Sequence, residues 1–352
     1  MSRRRTASLA AAGLILVASL ASAAPAAARG RVVVLADGLS SPKALAGGGS
    51  QLFVGQGWAG PPGPVFAYQL TGKGRGSTTD VTPPLGVVDI AGTQDGAGWA
   101  IGSDGHLYRQ AAPGGAIDDI FDILAYQAVD IDPTDKDDPP NPGESNPNGL
   151  AAIGNDVLIA DAAGNDLLRV NKDGDAVTVA RWTNELVGTD ETGIPGLPPL
   201  LPAEAVPTTV AIGADGWAYV GQLVGFPGKP GSANIWRVNP NAEGALCSVN
   251  APTADCKVWK SGFTSIFDIA FDRANGKLYV YEIAPGGWLT FEEGFVTGEF
   301  PPAVLLEVKG NKRREIAKGQ LSQPGGVVVT GGAIYVTDGM FTGGRLIEIR
   351  GG

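Results

Sequence analysis

Apolar and polar positions alternate along most of this chain in short runs, and the runs end on Gly, Asp, Asn or Pro. Alternation at a period of two predicts half-buried strands, and the breaks predict tight turns. No long window keeps a helical period. One unit recurs: a Pro or apolar residue, a strand ending in Ala or Val, a Gly/Asp turn, then a strand of the Leu-Tyr-Val type. Six copies are legible: SPKALAGGGSQLFVGQ (41–56), GVVDIAGTQDGAGWAIG (86–102), NPNGLAAIGNDVLIAD (146–161), VPTTVAIGADGWAYVGQ (206–222), SIFDIAFDRANGKLYVYE (265–282) and QPGGVVVTGGAIYVTD (323–338). Aligned on Ala46, Ala91, Ala151, Ala211, Ala270 and Val328, they are spaced by 45, 60, 60, 59 and 58 residues.

Third strands follow at LLRVN (167–171), IWRVN (235–239), LLEVK (305–309) and LIEIR (346–350), and fourth strands at AVTVA (176–180), KVWKS (257–261) and REIAK (314–318). Four strands repeated six times predict an all-β fold, a six-bladed β-propeller, because a single blade has too little apolar surface to stand alone. The last repeat lacks its fourth strand. RVVVLADGLSSP (31–42) reads like REIAKGQLSQP (314–324), so the N-terminal strand is expected to complete the last blade and remove the exposed edge.

With strands a to d running outward, the a–b turns are short, whereas the b–c and d–a connections are long (57–64, 124–147, 183–206, 223–233, 283–303). Those connections share one face, and function concentrates on loops held by a rigid scaffold. Two rings of polar residues are expected near the channel on that face. One follows strand b, with Gln56, Asp161, Gln222, Glu282 and Asp338; the other opens strand a, with Lys43, Asn148, Thr208, Thr209, Asp268 and Gly325. Asn148, Asp161, Thr208, Gln222, Asp268, Glu282 and Asp338 are the ligand-binding candidates. The competing reading is that they bond to loop backbone. Trp58, Phe226, Trp288, Phe291, Phe295 and Phe341 fall on the same face, either as a binding platform or as small satellite cores.

Composition narrows the chemistry. The basic run Arg3-Arg4-Arg5, an apolar stretch at 9–20 and Ala21-Ser22-Ala23 read as a signal peptide spanning 1–23, with cleavage as late as 28 the alternative; the propeller is then a single domain, 31–352. Its removal takes the net charge from −10 to about −13. An acidic chain lacks the clustered Lys and Arg that nucleic acid or an anionic membrane would need. A secreted monomer with no membrane insertion is expected. Cys247 and Cys256, nine positions apart, are expected to form a disulfide in an oxidising compartment. The only histidine is His106, in a turn, so a multi-histidine zinc site is excluded and no nucleophile elbow surrounds a triad. Calcium is the cofactor candidate. The acidic loop DIDPTDKDDPPNPGES (130–145) has alternate Asp residues without the full EF-hand pattern, and a solvated loop is the competing reading.

Asn148, in Pro147-Asn148-Gly149, resembles the ion-holding Asn of gluconolactonase and strictosidine-synthase propellers, which makes Asn148 and Asp161 the metal candidates. A longer resemblance is to the secreted ScyD/ScyE family of NHL- and SMP-30-like propellers. It is carried by VPTTVAIGADGWAYVGQLVGFPGKPGSANIWRV (206–238), ESNPNGLAAIGNDVLIADAAGNDLLRV (144–170), GFTSIFDIAFDRANGKLYVYEIA (262–284) and QPGGVVVTGGAIYVTDG (323–339). Where that family usually has Asp-Ser-Asn-Pro-Tyr-Gly, this chain has Glu144-Ser145-Asn146-Pro147-Asn148-Gly149. The resemblance implies an exported propeller and no established reaction. The leading expectation is an accessory protein that binds a small molecule or partner through its loop face. A divalent-cation-dependent hydrolase or lactonase and a protein- or glycan-interaction module stay open beside it.

Overall fold

A computed structural model describes residues 30–351, and the segment read above as a signal peptide lies outside them. The strands form six four-stranded antiparallel units around an axis. Blades 1 and 2 are continuous in sequence, from Leu45–Gly48 to Thr78–Asp80 and from Val87–Gly92 to Ile117–Asp122. Blade 3 runs from Pro147–Ile153 to Ala176–Trp182, blade 4 from Pro207–Ile212 to Cys256–Phe263, and blade 5 from Ile266–Asp272 to Lys312–Ile316. Blade 6 starts at Val327–Thr330 and takes its outermost strand from Arg31–Leu39. That strand pairs antiparallel with Gly344–Arg350, in register Arg31↔Arg350, Val32↔Ile349 and Val33↔Glu348. The ring is therefore closed between the two ends of the described chain, as the missing fourth strand predicts.

The core lies in the seams between blades, since a blade presents apolar side chains on both faces. Trp182 and Trp236 meet edge to face, 6.2 Å between ring centres, in the seam of blades 3 and 4. Tyr219 packs on Phe271 and Trp259 at 4.9 and 4.7 Å between blades 4 and 5.

Three features depart from a plain four-strand repeat. Short helices, Ile123–Gln127 and Gly287–Thr297, occupy two of the long connections. The chain shows no long helical period because these helices are packed into loops rather than laid along a core. A hairpin, Glu185–Gly188 with Leu200–Ala203, fills the connection between blades 3 and 4. Within blade 4, the long c–d excursion sends Ala245–Cys247 back to blade 3, where it pairs in parallel with Ala176–Trp182 as a fifth strand. The Cys247–Cys256 disulfide forms and ties that strand to the outer strand of blade 4. The cross-link therefore staples two blades through one short loop.

Closing so short a loop stabilises by about 2–3 kcal/mol through the unfolded chain. The double variant Cys247→Ser/Cys256→Ser is expected to lose that amount in denaturant titration. An unchanged midpoint would show that the clamp contributes nothing.

Candidate functional site

The inner strands leave one edge unpaired, so their backbone N–H and C=O groups line a narrow axial channel and need partners there. The sequence meets that need with a repeated distortion. Just before the inner strand the chain passes through left-handed φ at Ser41 (43°), Gly86 (68°), Val206 (54°), Ser265 (44°) and Gln323 (53°). For β-branched Val206 this is strained, and its N–H is held by Asn165 Oδ1 at 2.9 Å. The inner strands of blades 2, 3, 4 and 5 then slip register at Val88, Asn148, Thr208 and Phe267. Such bulges re-aim carbonyls and side chains.

Lys43, buried at the equivalent place in blade 1, sends its ammonium to two of these carbonyls, Asn148 O at 2.5 Å and Val88 O at 3.4 Å. One position further on stand Asp89 and Asp268, in blades 2 and 5 on opposite sides of the ring. Asp89 accepts from Leu150 N at 2.7 Å, in blade 3. Asp268 accepts from Val327 N of blade 6 at 2.6 Å and from Thr209 Oγ1 of blade 4 at 2.7 Å. Thr208 Oγ1 donates to Ile266 O at 2.7 Å, and Thr337 Oγ1 to Lys43 O at 3.3 Å. Where blade 3 meets blade 4 the contact is steric. A Cβ on Gly149 would lie 2.6 Å from Thr209 Cα, so only glycine lets the two strands meet. A polar girdle thus bridges five of the six seams around the axis, and the close approach at Gly149 closes the sixth.

Its electrostatics follow from depth. Desolvation raises the Asp89 carboxyl to about 7; Lys43 opposes this and Asp268 adds to it. Desolvation raises Asp268 as well, against the hydrogen bonds from Thr209 and Val327. Lys43 is lowered by burial, and the two carboxylates pull it back up. Both Asp side chains keep some exposed surface, so withdrawal from bulk water by depth, rather than a sealed cavity, drives the shifts. Toward the a–b turns the channel widens into a vestibule of about 610 Å³. Ala46, Ala91, Ala151, Ala211, Ala270 and Val328, the positions that align the six repeats, all line it.

The ligand-binding candidates separate into two groups. Asn148, Thr208 and Asp268 come together in the girdle. Asp161, Gln222, Glu282 and Asp338 stay in their own blades, where they hold loops. Asp161 accepts from Asn146 N at 2.7 Å, Glu282 from Thr264 N at 2.8 Å, Asp338 from Ser322 N at 3.1 Å, and Gln56 likewise from Ser40 N at 2.9 Å. Each ties the end of strand b to the chain about to enter strand a. Gln222 instead accepts from Trp236 Nε1 and donates to Glu185 at 3.3 Å. Desolvation raises Asp161 and Asp338, and lifts Glu282 to about 7.

Asp89 was absent from the candidates. Its signal is nonetheless in the chain: Asp89-Ile90-Ala91 and Asp268-Ile269-Ala270 are the same tripeptide three repeats apart. Gln127 and the fully buried Asp166, joined at 2.9 Å, were also unforeseen, because residue 127 reaches them from a loop helix.

The aromatic candidates pack mainly on one another. Trp58 meets Phe267 at 6.5 Å and Phe341 at 5.6 Å, and Phe341 lies parallel to Phe300 at 6.2 Å, beneath the helix Gly287–Thr297. Trp288 Nε1 donates to Val224 O at 2.8 Å, and Phe226 stays partly exposed beside it. In the acidic loop, Asp132 accepts from Thr134 N and Asn165 Nδ2, and Asp135 from Asp137 N and Asn141 N. Among the described residues no three His, Cys, Asp or Glu side chains converge to hold a metal. Beside Asn148 a cationic group is already present, the Lys43 ammonium, and Asp161 spends its oxygens on Ser145, Asn146 and Gly164. These residues do not fit a divalent ion held between Asn148 and Asp161.

No family model matches the chain, and no curated protein matches it by sequence. Solved structures do. A streptogramin B lyase shares 11% identity at a TM-score of 0.51, over 92% of this chain and 98% of that one. A Bacteroides thetaiotaomicron VPI-5482 protein of unknown function shares 11% at 0.56, over 92% and 76%. A glucose dehydrogenase shares 15% at 0.51, over 90% and 98%. At such identity the likeness is one of fold, and propellers host unrelated chemistries.

Lys43→Met leaves the Val88 and Asn148 carbonyls without their donor and two carboxyls without a counter-charge. Such a loss costs about 3–5 kcal/mol, and Asp89→Asn/Asp268→Asn in the same background is expected to restore part of it in a mutant cycle. Strict additivity of the variants would refute the coupling. The pH dependence has a definite sign. Asp89 and Glu282, near 7 in the fold against 3.8 and 4.5 otherwise, bind protons more tightly when folded. Their contribution is present at low pH and lost as pH rises through 7. The thermal midpoint is expected to rise from pH 8 to 5, with a flatter profile in Asp89→Asn and Glu282→Gln.

Proposed function

We propose that this chain is an exported interaction propeller that docks a partner protein on its loop face. The observation that supports this is where apolar side chains reach solvent. Of the fourteen exposed large hydrophobic residues among those described, nine lie on the loops of this one face. Leu124, Val129 and Ile131 come from the connection between blades 2 and 3, and Leu186, Ile194 and Leu200 from that between blades 3 and 4. Phe226, Phe295 and Val296 come from the b–c loops of blades 4 and 5. Val296 is 89% exposed, Val129 82% and Leu186 68%. Large apolar side chains gathered in water on one face are costly and mark that face for association.

The loops carrying these groups are joined to one another. Glu204 accepts from Lys136 N at 2.8 Å, Asp190 pairs with Lys229 at 2.8 Å, and Phe295 packs on Phe341 at 4.9 Å between ring centres. A rim held in place loses little entropy on binding. Its aliphatic character favours a protein over a glycan, which would stack on exposed rings. The disulfide and the likeness to ScyD/ScyE proteins support export, and no described helix is long and apolar enough to cross a membrane. A small-molecule ligand and a metal-dependent hydrolase have less support, because Asp161, Glu282 and Asp338 hold loops, Thr208 and Asp268 bond to neighbouring blades, and Asn148, whose buried Oδ1 has no partner, already has the Lys43 ammonium on its carbonyl.

The test compares the mature protein with Val129→Asp/Val296→Asp, both side chains being exposed. Chemical cross-linking in the producing cell should yield one dominant adduct through the loop face. The double variant, with an unchanged thermal midpoint, is expected to reduce that adduct at least tenfold. An adduct of equal yield, or one mapping to the turn face, would overturn the reading.

A further inference from the structure

The seam between blades 1 and 2 differs from the two seams that flank blade 4. Bulky rings fill the seams on either side of blade 4, whereas here the facing strands offer Ala46, Ala91, Ala100, Gly92 and Gly98. What remains is a cleft of about 200 Å³, walled by Phe53, Val65, Ile90, Trp99, Tyr108 and Ile117. It shares Ala46, Gly47, Ala91 and Gly92 with the axial vestibule, so it is reached from the turn face.

Two glycines show that the space is not forced by the backbone. Gly92 and Gly98 are cross-strand partners in blade 2. Neither has left-handed φ; an added Cβ at Gly98 would meet nothing within 4 Å, and at Gly92 only the Ala97 carbonyl at 4.0 Å. Both glycines are exposed, at the mouth of the cleft, so larger side chains there would narrow its entrance without a clash, and the absence of side chains leaves it open.

The polar groups at the cleft define what it accepts. The Arg109 guanidinium pairs with Asp95 at 2.6 Å. Gln110 Nε2 donates to Val81 O and Gly115 O at 3.1 and 3.2 Å, and the Tyr108 hydroxyl donates to Asp104 at 2.6 Å. Asp95 already neutralises the guanidinium, and the one buried polar atom of the cleft left without a partner is Arg109 Nε, a donor rather than a free charge, so an ionic ligand would lose its hydration without compensation. The rings of Phe53, Trp99 and Tyr108 among its walls suit an aromatic body. An apolar cavity of roughly 150 Å³ takes benzene, so this one has room for one or two fused rings.

We propose that the cleft between blades 1 and 2 is a binding site for a neutral, planar molecule of one or two fused rings. It is separate from the loop face and does not depend on the docking reading.

The experiment titrates naphthalene into the mature protein and follows the methyl resonances of Val65, Val81, Leu85, Ile90 and Ile117. Saturable shifts confined to these methyls are expected, with naphthalene-2-sulfonate at least tenfold weaker. Ala100→Leu, which fills the cleft, is expected to weaken naphthalene at least tenfold with an equal or higher thermal midpoint. Should Ala100→Leu fail to fold, Gly98→Leu at the mouth provides the same comparison. The proposal falls if the wild type shows no saturable shift, if the sulfonate binds equally, if a folded filling variant keeps full affinity, or if the shifts map to Leu186 and Val296.

Discussion

Closing a ring of sheets leaves six unpaired inner edges pointing at one another across a channel, and the polar girdle is this protein's answer to that constraint. An N–H turned into so narrow a space must find an acceptor there. Asp89 and Asp268 supply acceptors for the neighbouring blades' strands, and the Lys43 ammonium takes the carbonyls that the bulges expose. The two carboxylates stand three blades apart, so their mutual repulsion is spread across the channel with a cation nearby. The next position in the ring repeats the scheme with glycine. Gly149 and Gly326, also three blades apart, allow the strand of the following blade to approach where a Cβ would collide with it.

With the axis tied, the blades have little freedom to move against one another, and the two faces take on different roles. On the loop face Asp161, Glu282 and Asp338 serve the architecture: each ends strand b and holds the chain that leads into its own blade's inner strand. The aromatic candidates are mostly spent on a small core beneath the helix Gly287–Thr297. What this face has left to offer is an apolar rim. On the turn face the a–b turns are too short to cover the axis, the long c–d excursion of blade 4 is laid against blade 3, and the vestibule and the cleft between blades 1 and 2 stay open. A rim suits a large partner and a cleft suits a small one, so the two faces are fitted to different kinds of ligand.

Part of the girdle was legible from the chain. Lys43, Asn148, Thr208, Thr209 and Asp268 all open inner strands, and repeat alignment places them at equivalent positions around the axis. Asp89 was legible in principle through the repeated Asp-Ile-Ala and was missed because it follows two valines inside an apolar run. The partners were not legible. That Lys43 reaches carbonyls of both blade 2 and blade 3 depends on how far the bulges turn those groups inward. The residues after strand b are a contrasting case: Asp161 and Glu282 were legible as polar groups on the loop face, but not that each accepts a backbone N–H of its own blade.

The amino-acid sequence alone determined a six-bladed ring, its closure by the strand at Arg31, the pairing of the two cysteines and the division into a loop face and a turn face. Those features follow from strand period, repeat count and connection length, which are local properties summed along the chain. Only the tertiary structure decided that Ala245–Cys247 joins blade 3 as a fifth strand, that the aromatic loops pack on themselves and that the seam of blades 1 and 2 is left unfilled. Each of these depends on which side chains meet across a seam. Distance in space, not spacing in the chain, sets that, and no repeat carries it.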